Sequence, residues 1–280
     1  MTDTRFGSSD TDSLEVRMKS YESLGEFRLM FGLPLIARLD GHNFNKFTKN
    51  LAKPFDKRLS TLMIGLAQFL AKKFEANLAY TQSDEITLAW TSYDNFPSDN
   101  LFNRRIVKAS SVMAGAASAF FNQHNNMGNE ELYPHFDCRL WTVPSLNEAA
   151  NVFFWRELDG TRNSITMAAR TLFSHQEILN KSSKELVQMM YDKGIHWPDY
   201  PAFFKRGTYI KRVVVEKKFS CAEIEKLPPK HDARSNPNLA FKRNEYQIME
   251  WEPLTKCMDN FARLKSSVGK QLANFLFGEE

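Results

Sequence analysis

The chain has 280 residues, 42% of them hydrophobic and 25% charged, values for a soluble globular protein that can bury a sizeable core in one large domain or two small ones. Lys plus Arg number 37 against 33 Asp plus Glu, which excludes a histone-like or polyanionic protein but leaves nucleic acid open as a partner. Three scattered cysteines, Cys138, Cys221 and Cys257, exclude a disulfide framework and any CxxC motif and point to a reducing compartment. No apolar run approaches the roughly 20 residues of a membrane span. The opening stretch from Met1 to Asp10 reads as neither a signal nor a transit peptide, so a cytoplasmic protein is expected.

The first dozen residues carry little to bury and read as a loose tail. Leu14, Met18, Tyr21, Leu24 and Phe27 recur every three or four positions and predict a helix from Ser13 to Phe31. Leu33 to Leu39 predicts a buried strand ending at Asp40-Gly41. A second helix follows Asp56, a suitable N-cap, with Leu59, Leu62, Met63, Leu66, Phe69, Leu70 and Phe74 on one face. Two apolar runs between Leu78 and Trp90 flank Gln82-Ser83-Asp84-Glu85 and predict a hairpin with acids at its turn. A third helix is expected from Leu101 to about Asn122, and a fourth strand from Phe136 to Val143, stopped by Pro144. The order is β-α-β-β-α-β after a leading helix, the split βαβ arrangement of a ferredoxin-like α+β fold. Two or three helices follow between Asn147 and Lys193. Strands are then expected at Gly207–Val215 and Tyr246–Trp251, separated by a Pro- and Asn-rich loop, and a closing helix at Leu254–Phe277.

In such a sheet the first strand and the hairpin are neighbours, so Asp40, Asp84 and Glu85 converge. Unneutralised, three clustered carboxylates repel one another and raise their own pKa values. A hard divalent cation relieves this, and Mg²⁺ is held typically by one or two carboxylates together with substrate phosphates. Gly41, lacking a β-carbon, allows its backbone to approach a phosphate or lend a carbonyl. Taken alone, Asp-Gly and Ser-Asp-Glu are ordinary turn sequences.

The longer strings Arg38-Leu-Asp-Gly-His-Asn-Phe44, Ala52-Lys-Pro-Phe-Asp-Lys-Arg58 and Tyr80-Thr-Gln-Ser-Asp-Glu85 resemble the tRNA(His) guanylyltransferase superfamily, enzymes that add nucleotides in the 3′–5′ direction. The resemblance continues through Phe102-Asn-Arg-Arg-Ile-Val-Lys108, Phe136-Asp-Cys-Arg139 with Pro144-Ser145, and Lys205-Arg-Gly-Thr208. It implies a polymerase-like palm with added helices over 14–215, after a flexible tail at 1–13 and before a C-terminal α/β extension at 216–280 packed on the same domain. It implies that Asp40, the Gly41 carbonyl and Asp84 hold two Mg²⁺ ions, with Glu85 beside them in the catalytic set. His42, Asn43, Phe44 and Asn45 would wrap a nucleoside triphosphate with backbone N–H groups, Ser83 belonging to the same nucleotide site. Lys53 would neutralise its phosphates and Asp56 would lie near the incoming base. GTP and ATP are the implied substrates, ATP activating a 5′-monophosphate, and tRNA is the implied partner. The family usually forms tetramers, so a homo-oligomer is expected. Eukaryotic members carry His-Ile-Asn-Asn-Leu-Tyr-Asn where this chain has Asp159-Gly-Thr-Arg-Asn-Ser-Ile-Thr166, keeping Asn163 but losing the His and the second Asn. In that respect the chain is similar to the guanylyltransferase-like branch, whose members rebuild truncated tRNA 5′ ends by template-dependent pairing.

Basic residues fall in two runs. Arg104, Arg105 and Lys108 open the third helix, and Lys205, Arg206, Lys211, Arg212, Lys217 and Lys218 lie along one segment. Such clusters bind phosphates with salt-dependent affinity, although strand-flanking lysines also serve simply to solvate sheet edges. The motif match favours phosphate contacts for Arg104, Arg105, Lys205 and Arg206. Arg38 would face the activated 5′ end, and Arg139 either RNA or an ordering salt bridge. Most of the 23 Phe residues sit at core spacing; Phe44 and Phe55 flank the nucleotide loop and are the candidates for stacking on a base. Two other readings share these residues: a nucleotidyl cyclase acting on nucleoside triphosphate alone, and a catalytically idle RNA-binding module.

Overall fold

Alternation along the first strand sets the layering of the molecule. In the computed structural model, which describes residues 8–91, 101–127, 132–236, 238–249 and 267–278, the strands are β1 (Leu35–His42), β2 (Leu78–Gln82), β3 (Glu85–Trp90), β4 (His135–Thr142), β5 (Thr208–Lys218) and β6 (Ala240–Met249). Among the described residues they form one antiparallel sheet in the order β4-β1-β3-β2-β5-β6. The first four strands in that order are the ferredoxin-like palm, and β5 and β6 widen it beyond β2. The helices are α1 (Ser8–Ser23), α2 (Phe44–Phe47), α3 (Lys57–Lys73), α4 (Ile106–His124), α5 (Leu146–Ala169), α6 (His175–Ile178), α7 (Ser183–Asp192), α8 (Ala202–Arg206), α9 (Cys221–Lys226), α10 (Asp232–Ser235) and α11 (Ser267–Phe277).

Leu35, Ala37 and Leu39 of β1 point to one face of the sheet, with Ile86, Leu88 and Trp90 of β3 beside them. There they meet Met63, Leu66 and Leu70 of α3 and Ala109, Met113, Ala117 and Phe121 of α4. Small residues on α4 let that helix lie close to the strands. Each fully buried Leu or Phe in this layer contributes about 1.5–3 kcal/mol. Ile36, Leu78, Tyr80 and Ala89 face the other way and pack under α5 and α11 through Phe153, Leu272 and Leu276. The rest of α5 forms a third apolar cluster with α6, α7 and α8. Beyond Ile36, that second face turns polar at Arg38 and Asp40, and the helices no longer seal it.

Asp56 caps α3, accepting from the Arg58 backbone N–H at 2.9 Å and from Ala52 at 3.3 Å, while the Arg58 guanidinium grips its other side at 2.7 Å. Lys72 and Lys73 close the same helix where the dipole favours cations.

Some boundaries differ from the periodicity. Helix α1 starts five residues before the predicted Ser13 and ends at Ser23 instead of Phe31, because the following chain bonds elsewhere: Leu29 donates to the Arg104 carbonyl at 3.0 Å and Ile106 to that of Phe27 at 2.9 Å. Its apolar stripe is exposed, Leu14 at 48% and Tyr21 at 60%. The third helix begins at Ile106, since Phe102, Asn103 and Arg104 take positive φ values of 53°, 53° and 56° that no α-helix can include. Strand β6 starts at Ala240 rather than Tyr246, its length set by register with β5, where Lys218 faces Ala240. Within the expected loop before it, Asp232–Ser235 is helical. The tail at 1–7, the segment 254–266 of the closing helix, Trp251 and Cys257 lie outside the described residues.

Candidate active site

The polar end of the second face carries the site. Alternation puts Arg38 and Asp40 on the side of β1 away from α3 and α4, and register sets Asp40 opposite Glu85 on β3 and opposite Asp137 on β4. A two-residue turn, Ser83-Asp84, joins β2 to β3, with Ser83 in the left-handed region at φ 56°. The turn is tied to β1 by the Gly41 N–H donating to the Asp84 carbonyl at 3.2 Å. The acids therefore gather at one end of two central strands.

Arg38, Asp40, Ser83, Asp84 and Glu85 line one wall of a cavity of about 510 Å³, and α5 supplies the other through Arg156, Asp159, Asn163, Thr166 and Arg170. Of the residues expected from the motifs, this cavity unites Arg38, Asp40, Ser83, Asp84, Glu85 and Asn163. Burial pushes the Asp84 carboxyl above its ordinary range, and the charge of Asp40 adds to the rise. Glu85 has a different fate. Both its oxygens accept from Arg156, at 2.5 and 2.6 Å, and Arg156 also donates to Asp159 at 3.0 Å. Burial raises the Glu85 carboxyl while these bonds pull against it. For Arg156, burial acts downward and is more than offset by Glu85 and Asp159, which hold the guanidinium above its usual range. Trp155 lies 4.5 Å from Arg156 and 5.9 Å from Arg38, ring centroid to guanidinium carbon. The Nε of Arg38 and the Oγ1 of Thr87, opposite it on β3, are buried with no hydrogen-bond partner. Arg38 itself lines the cavity, where its guanidinium is placed to meet an anionic ligand.

The floor is held by a second buried group. Glu157, fully buried on α5, accepts from the Tyr209 hydroxyl at 3.0 Å and has Arg206 at 3.9 Å. The Tyr80 hydroxyl donates to the Arg206 carbonyl at 2.9 Å. Gly207, at φ 81°, lies against the Tyr80 ring so closely that a β-carbon would come within 2.5–2.6 Å of it.

The expected nucleotide loop lies beside this cavity. His42 and Asn43 line a smaller one of about 160 Å³ with Lys46 and His135, the two imidazoles 4.8 Å apart. Asn45 is exposed on α2, and Lys53 is exposed with its ammonium donating to the Thr48 carbonyl at 2.9 Å. A β-carbon on Gly41 would fall 2.4–2.7 Å from the Phe44 ring, so the strand end fits there only as glycine.

Several expectations are corrected. Phe44 is no stacking platform, being 3% exposed and packed against Phe47, Phe121 and Phe136. Phe55 is engaged by Tyr200, Phe203 and Phe204. Arg104 is no phosphate ligand: it is 7% exposed and spends its guanidinium on the carbonyls of Met30 and Leu33. Arg105 pairs with Glu26. Asp56 is buried, and the Arg58 hydrogen bonds hold its carboxyl down to about 2, so its side chain is committed to the helix cap rather than to a base. Lys205 donates to the Pro198 carbonyl and lies 5.7 Å from the Trp197 ring, with Arg206 at 5.6 Å from the same ring. Arg139 makes the ordering contact, 3.7 Å from Asp137. Lys108 stays exposed, its ammonium 5.8 Å from the Phe102 ring.

Motif reading passed over Arg156, Asp159, Thr166, Arg170 and Gln82, all cavity residues. Helical spacing holds the missing signal: 156, 159, 163, 166 and 170 differ by three or four and form one polar stripe on a helix otherwise buried by Phe153, Gly160 and Ile165.

Comparison with known proteins agrees with this geometry. A family model described as Thg1: tRNAHis guanylyltransferase matches residues 15–144. The tRNA(His) guanylyltransferase of Schizosaccharomyces pombe is 30% identical over 234 residues, 75% of this chain and 87% of that one. A bacterial tRNA(His) guanylyltransferase (Thg1)-like protein solved in complex with ATP is similar at TM-score 0.66 and 35% identity, over 71% of this chain and 88% of that one. Such a bacterial protein in complex with GTP gives TM-score 0.67 at 29% identity, over 93% and 99%. The palm-like fold shared with these proteins, together with the likeness to the guanylyltransferases, makes the molecule a nucleotidyltransferase. The chain belongs to the tRNA(His) guanylyltransferase family.

Proposed function

We propose that this protein adds nucleotides in the 3′–5′ direction to the 5′ end of tRNA, using GTP and ATP, by Mg²⁺-dependent phosphoryl transfer. The observation that carries the reading is the pair Asp40 and Asp84, carboxylates without a cationic hydrogen-bond partner among the described residues, lining one cavity with the cationic side chain of Arg38. The ATP and GTP complexes of the bacterial relatives support the choice of substrates.

The donor set fits Mg²⁺. Asp40, Asp84 and the Gly41 carbonyl offer hard oxygen ligands, while no group of three or more His, Cys, Asp or Glu side chains among the described residues forms an all-protein cage. A site with few protein ligands suits an ion that shares its coordination with substrate phosphates, and the raised pKa of Asp84 shows what a cation would relieve. When bound, Mg²⁺ supplies charge neutralisation at the phosphoryl group and lowers the pKa of the attacking hydroxyl. Arg38 would bind the 5′ phosphate and stabilise charge developing on its oxygens. Arg156 locks Glu85 to α5 and so fixes the cavity width, since phosphoryl transfer depends mainly on positioning. The backbone of 42–45 and Lys53 would hold the triphosphate, with Lys108 at a more distant phosphate. The absence of the His and second Asn in 159–166 supports repair of shortened 5′ ends over strict tRNA(His) guanylylation.

The exposed apolar side chains Val16, Leu24 and Phe27 support assembly as a homo-oligomer, with a tetramer expected by light scattering. No helix of the described residues is long and apolar enough to cross a membrane, in keeping with a cytoplasmic site of action.

The test is incubation of 5′-truncated tRNA with labelled GTP, ATP and Mg²⁺. Extension at the 5′ end by the wild type and none by Asp84→Ala is expected. Cyclic nucleotide from triphosphate alone, or tRNA binding without turnover, would replace this reading with the cyclase or the binding module.

A further inference from the structure

The charges of the cavity do not all cancel. Arg156 is consumed by Glu85 and Asp159, and the other oxygen of Asp159 by Arg162 at 2.8 Å. Two acids, Asp40 and Asp84, remain at the sheet end, and two cations, Arg38 and Arg170, remain on the facing walls. Arg170 is exposed, and its side chain makes no ion pair or hydrogen bond among the described residues. It ends the polar stripe of α5 fourteen residues after Arg156, about 20 Å away at 1.5 Å per residue. Between them the stripe presents Asn163 and Thr166, neutral hydrogen-bonding groups, and no further acid beyond Asp159. A lining of that length exceeds a triphosphate tail. It suits a strand of phosphodiesters running from the acids along the helix.

We propose that Arg170 is a phosphate-binding residue for the RNA strand, contacting the backbone inward from the 5′ end that Arg38 would hold. This rests on the reading of an RNA substrate. The alternative is a structural one, because a cation closing a helix also interacts with its dipole. The two differ in salt dependence: a phosphate contact releases counterions, whereas a dipole contact leaves the slope of binding unchanged.

The test is equilibrium binding of 5′-phosphorylated tRNA, without nucleotide, across a salt series. Arg170→Ala is expected to weaken binding roughly tenfold and to make the slope of log K against log salt shallower by about one. Arg170→Lys should keep the wild-type slope, and Lys72→Ala, an equal charge loss on exposed α3, should change neither quantity. A slope unchanged in Arg170→Ala overturns the proposal. So does a defect confined to the KM for GTP or ATP, which would assign Arg170 to the nucleotide instead. Because binding is read without turnover, a slope effect in a protein that never extends tRNA would refute the 5′-extension reading and leave the Arg170 contact standing.

Discussion

The hairpin turn at Ser83-Asp84-Glu85 and the basic run Arg104-Arg105-Lys108 are both charged pieces of chain, with opposite fates. In the run, the charges are answered internally: Arg104 by two backbone carbonyls, Arg105 by Glu26. At the turn, Glu85 is answered by Arg156, but Asp84 is half-buried beside another carboxylate and raised in pKa. A charge cluster thus becomes a candidate site where the fold withholds a partner, not where the charge density is highest.

The largest expected effect lies at the unanswered acid. Asp84→Asn should lower 5′-extension about 10³-fold while raising the thermal midpoint of the metal-free protein. The sign follows from the raised folded pKa: stability falls as pH rises from the unfolded value of 3.8 through the folded one, and the cost is fully present at pH 7. Differential scanning calorimetry with and without Mg²⁺ checks both halves, since the ion should stabilise wild type and not the variant.

Next comes Arg156→Ala, which strands Glu85 in a half-closed pocket and leaves Asp159 to Arg162 alone. About 3 kcal/mol of stability should be lost in denaturant titration, and kcat should drop in the fraction that remains folded. Arg104→Ala sharpens the comparison from the other side. It removes a buried side chain together with its hydrogen bonds to the Met30 and Leu33 carbonyls and should cost about 1–3 kcal/mol, yet turnover per folded molecule and tRNA affinity should match wild type. A tRNA-binding defect without destabilisation would restore Arg104 to the RNA surface.

Asp56→Asn is smaller. An Asn still caps α3, so the loss should come from the Arg58 ion pair and vanish in acid. The folded pKa near 2 lies below the ordinary 3.8, so this stabilisation is complete above that ordinary value and disappears as pH falls through about 2. Denaturation midpoints of the two proteins should therefore differ at pH 7 and converge at pH 2. Lys108→Ala, at an exposed position, should leave stability within about 0.5 kcal/mol, and any effect should be confined to tRNA binding at low salt.

Much of the palm was legible in advance because it rests on strict periods. Alternation in β1 and β3 and the three-four spacing of α3 identify their buried faces, and Asp56 announces its helix by chemistry at one position. The cavity was half legible. Asp40 and Asp84 stand in short motifs, while the opposing wall is spread over fifteen residues of α5 whose polar stripe carries no motif. Arg104 misled because its inward turn depends on three successive left-handed residues, and nothing in Phe102-Asn103-Arg104 signals them: of the three, only Asn favours that region. The exposed stripe of α1 shows the converse, a regular helical period that the described residues leave uncovered.

The two-residue turn between β2 and β3 has a consequence for evolution. Side chains on β3 alternate between the cavity, with Glu85, and the α3–α4 core, with Ile86, Leu88 and Trp90. Removing or inserting one residue at Ser83-Asp84 would slip the register and exchange those two sets, driving Glu85 into the apolar layer and Ile86 into the cleft. Point substitution can therefore explore the turn, but a change in its length cannot persist unless a second indel follows in the same strand.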